Sequence, residues 1–235
     1  MGIHPEAGRQ LTVLYHFWWS PAAQRVRLAL GYKRIAYQDR PIAFDDDDTF
    51  FELGVARHVP VLQHRDGQLW TDSVAILREL DRPWPDRPIF EGTLTAAAWD
   101  TLLAWRESAD ALFDRLHAPA LPAYRGIGDS EPAMAAYKSE VLRRFGASIE
   151  ELSNDRYAAF GQLMKVAHLR ELGARLAKSR FYAEQPSAAD MLLAADLFPL
   201  QLLDGITLPI DLMYYIQRVE DACQTSLRDG LRATQ

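Results

Sequence analysis

Three short stretches in the first third of the chain carry residue types that could hold and activate a small anionic thiol peptide. In the first, Ser20 follows an apolar run and precedes Pro21, which is typical of a helix start because serine is a favoured N-cap and proline a favoured first residue. Free N–H groups and the positive end of the helix dipole lie there. Both lower the pKa of a thiol placed there, and a serine hydroxyl could donate a hydrogen bond to the resulting thiolate. Ser20 could thus stabilise a thiolate, or it could only cap the helix.

The second stretch is Val59-Pro60-Val61-Leu62, a proline at the entry of a short apolar strand. Most X-Pro bonds in folded proteins are trans, so the residues alone favour a trans bond at Pro60. A cis bond would instead turn the backbone N–H and C=O of Val59 outwards. They could then pair with an extended peptide in the manner of an added strand.

The third stretch is Asp72-Ser73, which precedes the helical pattern of Val74-Ala75-Ile76. A hydroxyl and free N–H groups at a helix start form a ready site for a carboxylate. The alternative is that Ser73 acts only as an N-cap.

Alternating and apolar runs around these stretches predict the elements that position them. A strand is predicted over residues 11–18, a helix from Ser20 that stops at Gly31, and a short strand around 35–41. Four aspartates at 45–48 follow, and they indicate a solvated loop or helix start. Two strands over 59–63 and 68–71, joined at Arg65-Asp66-Gly67, predict a hairpin. A helix is predicted to follow from 72 to 80.

The rest of the chain has a helical pattern. Three prolines within residues 81–92 predict a linker, since proline cannot continue a helix interior. One amphipathic helix is predicted over 93–117, broken by Pro119. Helical zones follow over 131–178 in several pieces, 187–203 and 212–228. We therefore predict an α/β domain at 10–82, a linker at 83–92 and an all-α domain at 93–230.

Composition narrows the class of protein. The 235 residues are 49% hydrophobic and 25% charged, with a net charge of −6, which is typical of a soluble globular protein and not of a nucleic-acid binder. The basic pair Arg143-Arg144 is interpreted as a solvated helix face. The lone Cys223 excludes an intrachain disulfide and is expected in the core; a cytoplasmic location is expected, with no leader, membrane span or metal site.

The three stretches together resemble the glutathione S-transferase family. Residues 14–30, Leu-Tyr-His-Phe-Trp-Trp-Ser-Pro-Ala-Ala-Gln-Arg-Val-Arg-Leu-Ala-Leu, are similar to its first strand, active-site turn and first helix. Val59-Pro60-Val61-Leu62 is similar to its cis-proline strand, and Asp72-Ser73 to its acidic-Ser helix start. Pro186-Ser187-Ala188-Ala189-Asp190 resembles its buried capping box.

This resemblance implies a thioredoxin-like N-terminal domain that binds glutathione, and an all-α C-terminal domain that helps to bind a small electrophile. It implies that Pro60 is cis and that Val59 pairs with the cysteinyl backbone. Ser20 would contact the glutathione sulfur, and Asp72 and Ser73 would hold the γ-glutamyl end. A homodimer with a role in detoxification is implied as well.

Departures from the family pattern leave alternatives open. His58 lies where the family often has Lys or Gln on glutathione, and Arg57 is an alternative cation for the glycyl carboxylate. Where Ser20 stands, cysteine-type members carry Cys, so a thiol-disulfide role is not expected. The Arg25-Val26-Arg27 turn resembles the zeta class, which implies a glutathione-dependent cis-trans isomerase as an alternative to a transferase. A non-catalytic binding or interaction protein is the third possibility.

The electrophile pocket is expected where the two domains meet. Its candidate residues by position are Trp19, Trp105, Arg106, Phe113 and Tyr124. Aromatic residues at helical spacing are more often part of a core, so a packing role is the alternative for each aromatic.

Overall fold

A computed structural model describes residues 11–233, and its N-terminal part is built on a four-stranded mixed sheet. The strands are β1 (Thr12–His16), β2 (Tyr37–Pro41), β3 (Val61–Gln63) and β4 (Leu69–Thr71), in the order β2-β1-β3-β4. β1 is parallel to β2 and antiparallel to β3, and β3 and β4 form the expected hairpin.

Three helices accompany this sheet: α1 (Pro21–Lys33), α2 (Asp48–Leu53) and α3 (Ser73–Glu79). α1 connects the parallel strands β1 and β2, as a crossover must. The last of the four aspartates, Asp48, begins α2. The arrangement is thioredoxin-like, which confirms the predicted fold of this part.

The remainder is helical, as predicted. Its helices are α4 (Ala96–Ser108), α5 (Asp110–Ala120), α6 (Glu131–Phe145), α7 (Ile149–Asn154), α8 (Arg156–Val166), α9 (Leu169–Lys178), α10 (Ala188–Leu197) and α11 (Ile210–Cys223). Short 3₁₀ turns follow α5 and α10, at Leu121–Ala123 and Phe198–Leu202. No helix among residues 11–233 is long and apolar enough to cross a bilayer.

The single helix predicted over 93–117 is two helices, and this prediction was wrong. The chain leaves the helical conformation at Ala109, where φ is −113° and ψ is 4°, and α5 begins at the next residue. Pro119 does not break α5 but lies in its last turn. Pro119 has no N–H to donate to the Arg115 carbonyl, and α5 ends one residue later, at Ala120.

Gly31 was also misread as a helix stop. α1 runs through it to Lys33 and ends at Arg34 in the left-handed conformation. A Cβ on Gly31 would collide with the Thr225 hydroxyl and the Cys223 carbonyl at the end of α11. Glycine at this position therefore lets α1 and α11 approach closely.

Helix α10 lies at the centre of the core. All ten of its residues are buried, and it packs against α1, which places it between the sheet domain and the other helices. Ser187 and Asp190 form the predicted capping box at its start. Cys223 is buried, as expected. The two parts of the fold are thus joined through α1, the helix that Ser20 begins.

Candidate active site

Ser20 caps α1, and its hydroxyl keeps a hydrogen to donate. Its Oγ accepts a hydrogen bond from the Ala23 N–H at 3.2 Å, and Pro21 is the first helical residue. Because a hydroxyl both accepts and donates, capping does not prevent Ser20 from donating to an anion. The two interpretations of Ser20 are therefore compatible.

Ser73 is free of the capping role that the sequence allowed. The N-cap of α3 is Asp72, whose Oδ1 accepts from the Ala75 N–H at 2.9 Å. The buried Ser73 Oγ instead accepts a hydrogen bond from Arg25 Nη1 at 3.3 Å. This contact uses an acceptor position of the hydroxyl and leaves its hydrogen available for a carboxylate.

The Val59-Pro60 peptide bond is cis, as the resemblance implied. The pairing between β1 and β3 begins at Val61, so it does not use the backbone of Val59. Of the two candidate partners for the glycyl carboxylate, His58 is exposed to solvent. The guanidinium of Arg57 pairs with Asp47 at 2.5 Å and donates to the Phe44 carbonyl.

A cleft of about 370 Å³ lies between the start of α1 and the helices α5 and α6. Ser20 and Trp19 line it on the sheet side, and Tyr137 and Arg144 of α6 line it on the helical side. The Trp19 indole stacks on Phe17 with ring centroids 4.4 Å apart. A larger groove of about 850 Å³ along α11 contains no predicted site residue. The cleft at Ser20 is therefore the candidate site.

Three of the five predicted pocket residues, Trp105, Tyr124 and Phe113, do not line this cleft. The Trp105 indole N–H donates to the Ala167 carbonyl at 2.9 Å, which ties α4 to the end of α8. The Tyr124 side chain is buried, and its hydroxyl lies 3.4 Å from the Leu227 carbonyl. Phe113 is fully buried, whereas Arg106 lines the cleft.

A buried ion network connects Ser73 to the cleft. Arg25 Nη2 donates to both carboxylate oxygens of Asp196, at 2.7 and 2.9 Å, and Arg106 Nε donates to Asp196 at 2.7 Å. Burial of Asp196 disfavours its charge, but the two guanidinium groups outweigh that effect and hold the pKa of this carboxyl below its usual value. The network fixes Arg25, which in turn contacts Ser73.

His117 lies beside this network as a neutral imidazole. Its Nε2 lies 2.9 Å from the Asp196 carbonyl, a distance at which it donates its proton. Complete burial lowers the pKa of His117 from 6.5 to about 4. His117 therefore does not add a third positive charge beside the two guanidinium groups at neutral pH.

The sequence did not identify Arg25, Arg144, His117 or Asp196 as site residues. Arg25 and Asp196 are 171 residues apart in the chain, so no local pattern joins them. A faint signal was Asp196 itself, an acidic residue within the strongly apolar run predicted as a helix.

Comparison with known proteins supports the family resemblance. Residues 19–82 match the sequence model of the glutathione S-transferase N-terminal domain, a range that contains Ser20, Pro60 and Ser73. Over 84 residues the chain is 36% identical to a maleylacetoacetate isomerase from Dictyostelium discoideum, a match that covers 33% of this chain and 38% of that protein. The chain thus spans under half the length of this curated relative.

Solved structures share the fold across nearly the whole chain. Glutaredoxin 2 from Salmonella typhimurium, solved with glutathione, has a TM-score of 0.77 at 19% identity and covers 92% of this chain and 96% of its own. A glutathione S-transferase from Ceriporiopsis subvermispora, also solved with glutathione, has a TM-score of 0.73 at 17% identity, covering 90% and 97%. These likenesses establish the two-part fold.

Proposed function

We propose that the chain is a glutathione S-transferase family member that activates glutathione as a thiolate for attack on an electrophilic small molecule; the match of residues 19–82 to the N-terminal domain of that family supports this. The observation that carries this proposal is that the Ser20 hydroxyl, at the start of α1, lines the same cleft as α5 and α6. A thiolate beside Ser20 would face any molecule held in that cleft. Bringing the two reactants together in this way lowers the barrier to addition.

In this proposal each part of glutathione has a partner. The Ser20 hydroxyl donates to the thiolate, the backbone of Val59 pairs with the cysteinyl residue next to Pro60, and Asp72 and Ser73 hold the γ-glutamyl end. The Arg25 contact supports this role for Ser73, because it orients the hydroxyl as a donor.

The glycyl carboxylate has two candidate partners. Arg57 lines the cleft, and His58 is exposed nearby. Calorimetry with Arg57→Gln and His58→Gln distinguishes them, because only the variant that loses the contact binds glutathione more weakly.

Ser20→Ala tests the mechanism, with Ser130→Ala as its matched control. Ser130 caps α6 in the same way, since its Oγ accepts from the Ala133 N–H at 3.3 Å, and it does not line the cleft. Each variant loses a helix cap, worth about 1 kcal/mol of stability. Only Ser20→Ala loses a hydrogen bond to a thiolate, worth about ten- to hundredfold in turnover.

The measurement is conjugation of glutathione with chlorodinitrobenzene. Equal turnover in the parent and Ser20→Ala would remove Ser20 from the mechanism. If the parent neither conjugates nor binds glutathione by calorimetry, the proposed function itself is wrong. Binding of glutathione without turnover would favour the non-catalytic alternative.

A glutathione-dependent isomerase is the second candidate, and the curated relative from Dictyostelium favours it. The substrate of that reaction is a diacid, and Arg106 and Arg144 line the cleft as possible partners for carboxylates. An assay with maleylacetoacetate tests it, and no isomerisation above background would rule it out.

We also propose that the chain works as a cytoplasmic homodimer with a role in detoxification. The support is the family resemblance. Light scattering on the purified chain tests the assembly, and a monomeric mass at micromolar concentration would contradict it.

A further inference from the structure

The two arginines of the Arg143-Arg144 pair lie in different environments. Arg143 forms two hydrogen bonds with Glu140, at 2.6 and 3.0 Å, and its side chain is 74% exposed. Arg144 lines the cleft at Ser20, its side chain is 55% exposed, and its guanidinium donates to Asp114 of α5. Both arginines are thus solvated, as interpreted, but only Arg144 also borders the cleft.

Cations outnumber anions on the cleft wall. Four arginines line it, Arg25, Arg57, Arg106 and Arg144, against two acidic residues, Asp114 and Glu140. The carboxylate of Asp196, which pairs with two of the arginines, is completely buried behind the wall. His117, also on the wall, is neutral at pH 7 because its pKa is about 4. The carboxylates of Asp47 and Asp110 pair with Arg57 and Arg106 but do not line the cleft, so more positive than negative residues border it.

Most N–H donors of the Arg144 guanidinium make no hydrogen bond within residues 11–233. Among residues 11–233 its guanidinium makes one hydrogen bond, from Nη2 to Asp114, although the group carries five N–H donors. Burial raises the pKa of the Asp114 carboxyl, with Arg144 acting against that shift. Because the fork of an arginine matches a carboxylate in geometry, the remaining donors of Arg144 suit a carboxylate on a ligand.

The rest of the wall suits an aromatic ring. Phe17, Trp19, Phe44, Tyr137 and Phe145 line the same cleft. The Trp19 and Phe44 rings lie 5.7 Å apart, and Phe44 contacts the ring of Tyr137 edge-on at 5.2 Å. Flat apolar groups of this kind stack on aromatic ligands.

We propose that the electrophile this cleft takes is an aromatic compound bearing a carboxylate, and that Arg144 is the residue that selects it. This inference rests on the proposed function, since it concerns the second substrate of the same site. With an aryl chloride, the thiolate sulfur forms a bond to the ring carbon that carries chlorine. The carbon–chlorine bond breaks, and chloride leaves with the bonding electron pair. Arg144 holds the carboxylate and takes no part in these bond changes.

Two matched electrophiles test the proposal. Chlorodinitrobenzene is neutral, and chlorodinitrobenzoate is its analogue with a ring carboxylate. The measured quantity is the ratio of kcat/KM for the benzoate to kcat/KM for the neutral compound, compared between variants so that intrinsic reactivity cancels. Arg144→Gln is expected to lower this ratio about tenfold, the effect of losing one hydrogen bond to a charged group.

Three further readouts separate selection from structure. The loss in Arg144→Gln should fall on KM for the benzoate and not on its kcat. Arg144→Lys should restore part of the ratio, since it keeps the charge without the fork. Added salt should lower the ratio in the parent more than in Arg144→Gln. Lys138→Gln, the control on the same helix, removes a cation whose partner Glu150 does not line the cleft, and it should leave the ratio unchanged.

The outcomes distinguish this proposal from the one on which it rests. If both electrophiles react and Arg144→Gln leaves the ratio unchanged, the selection by Arg144 is overturned and the transferase proposal stands. If neither reacts, calorimetry with S-carboxybenzyl-glutathione and S-benzyl-glutathione decides. A preference for the carboxybenzyl form that Arg144→Gln abolishes supports the selection, and equal affinities overturn it. Binding of neither compound overturns both proposals.

Discussion

Helix α10 carries two buried aspartates that are stabilised in opposite ways. Asp190 accepts hydrogen bonds from neutral donors: the Tyr182 N–H and the Tyr215 hydroxyl, each at 2.7 Å, and Ser187. Burial prevails there and raises the pKa of Asp190. Asp196 is equally buried, yet the guanidinium groups of Arg25 and Arg106 lower its pKa. One aspartate begins a helix, and the other holds charges beside the cleft.

The partners of the two aspartates assign them different roles: Asp190 stabilises the fold, and Asp196 positions residues of the candidate active site. The partners of Asp190 belong to its own capping box, to the segment between α9 and α10, and to α11, and none of them lines the cleft. The partners of Asp196 come from α1 and α4, and both line the cleft. We therefore expect substitutions at Asp190 to change stability alone, and substitutions at Asp196 to change stability and glutathione binding together.

Asp196→Asn has the largest expected effect. It leaves two guanidinium groups without their buried carboxylate, and breaking a buried ion pair costs about 3–5 kcal/mol of unfolding free energy. Glutathione affinity should fall as well, because Arg25 loses the anchor that holds it against Ser73. Urea unfolding and calorimetry measure the two effects. A loss of stability no larger than that of a surface substitution would contradict this account of the network.

Acid should lower the folding stability through His117, whose imidazole contacts the Asp196 carbonyl. The folded pKa of about 4 lies below the unfolded value of 6.5, so the unfolded chain takes up a proton first as the pH falls. The contribution of the neutral imidazole is complete above pH 6.5 and is lost on acidification to pH 4, by about 3 kcal/mol. His117→Gln, which keeps a donor for the Asp196 carbonyl, should flatten this part of the stability curve. A decline of equal size in that variant would assign the effect to other groups.

Asp190→Asn should have a smaller effect on stability and none on binding. The amide replaces one carboxylate oxygen with a donor that cannot accept from the Ser187 N–H and hydroxyl. Leaving such buried groups unsatisfied costs about 1–3 kcal/mol. Glutathione affinity should stay at the level of the parent, as calorimetry on the folded variant can show. A weaker affinity would erase the distinction between the two aspartates.

Arg25→Lys has the smallest expected effect and sharpens the comparison most. Lysine keeps the charge opposite Asp196 but lacks the fork that also reaches Ser73. We expect a loss of about 1 kcal/mol in stability, the worth of one hydrogen bond, and a larger relative loss in glutathione affinity. Equal affinity in the parent and the variant would show that the Arg25–Ser73 contact does not matter for binding.

Local signals of the sequence predicted the helix starts and the hairpin, because caps and turns depend on neighbouring residues. These signals did not predict which of two adjacent residues caps a helix, because that depends on the backbone conformation. Asp72 caps α3 with a φ of 70°, and nothing in the sequence distinguished it from Ser73 as the cap. The family resemblance, and not the residues alone, predicted the cis bond at Pro60.

The remaining site residues depend on contacts between distant segments. The pairing of Arg25 with Asp196 exists only once α1 and α10 are packed, and an amphipathic pattern does not say which face of a helix borders a cleft. That is why Trp105 was a candidate although it packs against the end of α8, and why the exposed Arg144 was not recognised as a residue that also borders the cleft.

The burial of Cys223 has a practical consequence. It is the chain's single cysteine, and burial raises the pKa of its thiol, which makes it inert towards maleimide reagents. In Ser20→Cys the introduced sulfur would therefore be the sole site that such a reagent labels in the folded protein. The labelling rate as a function of pH would then report the electrostatic potential at the start of α1, measured on a sulfur that belongs to the chain itself.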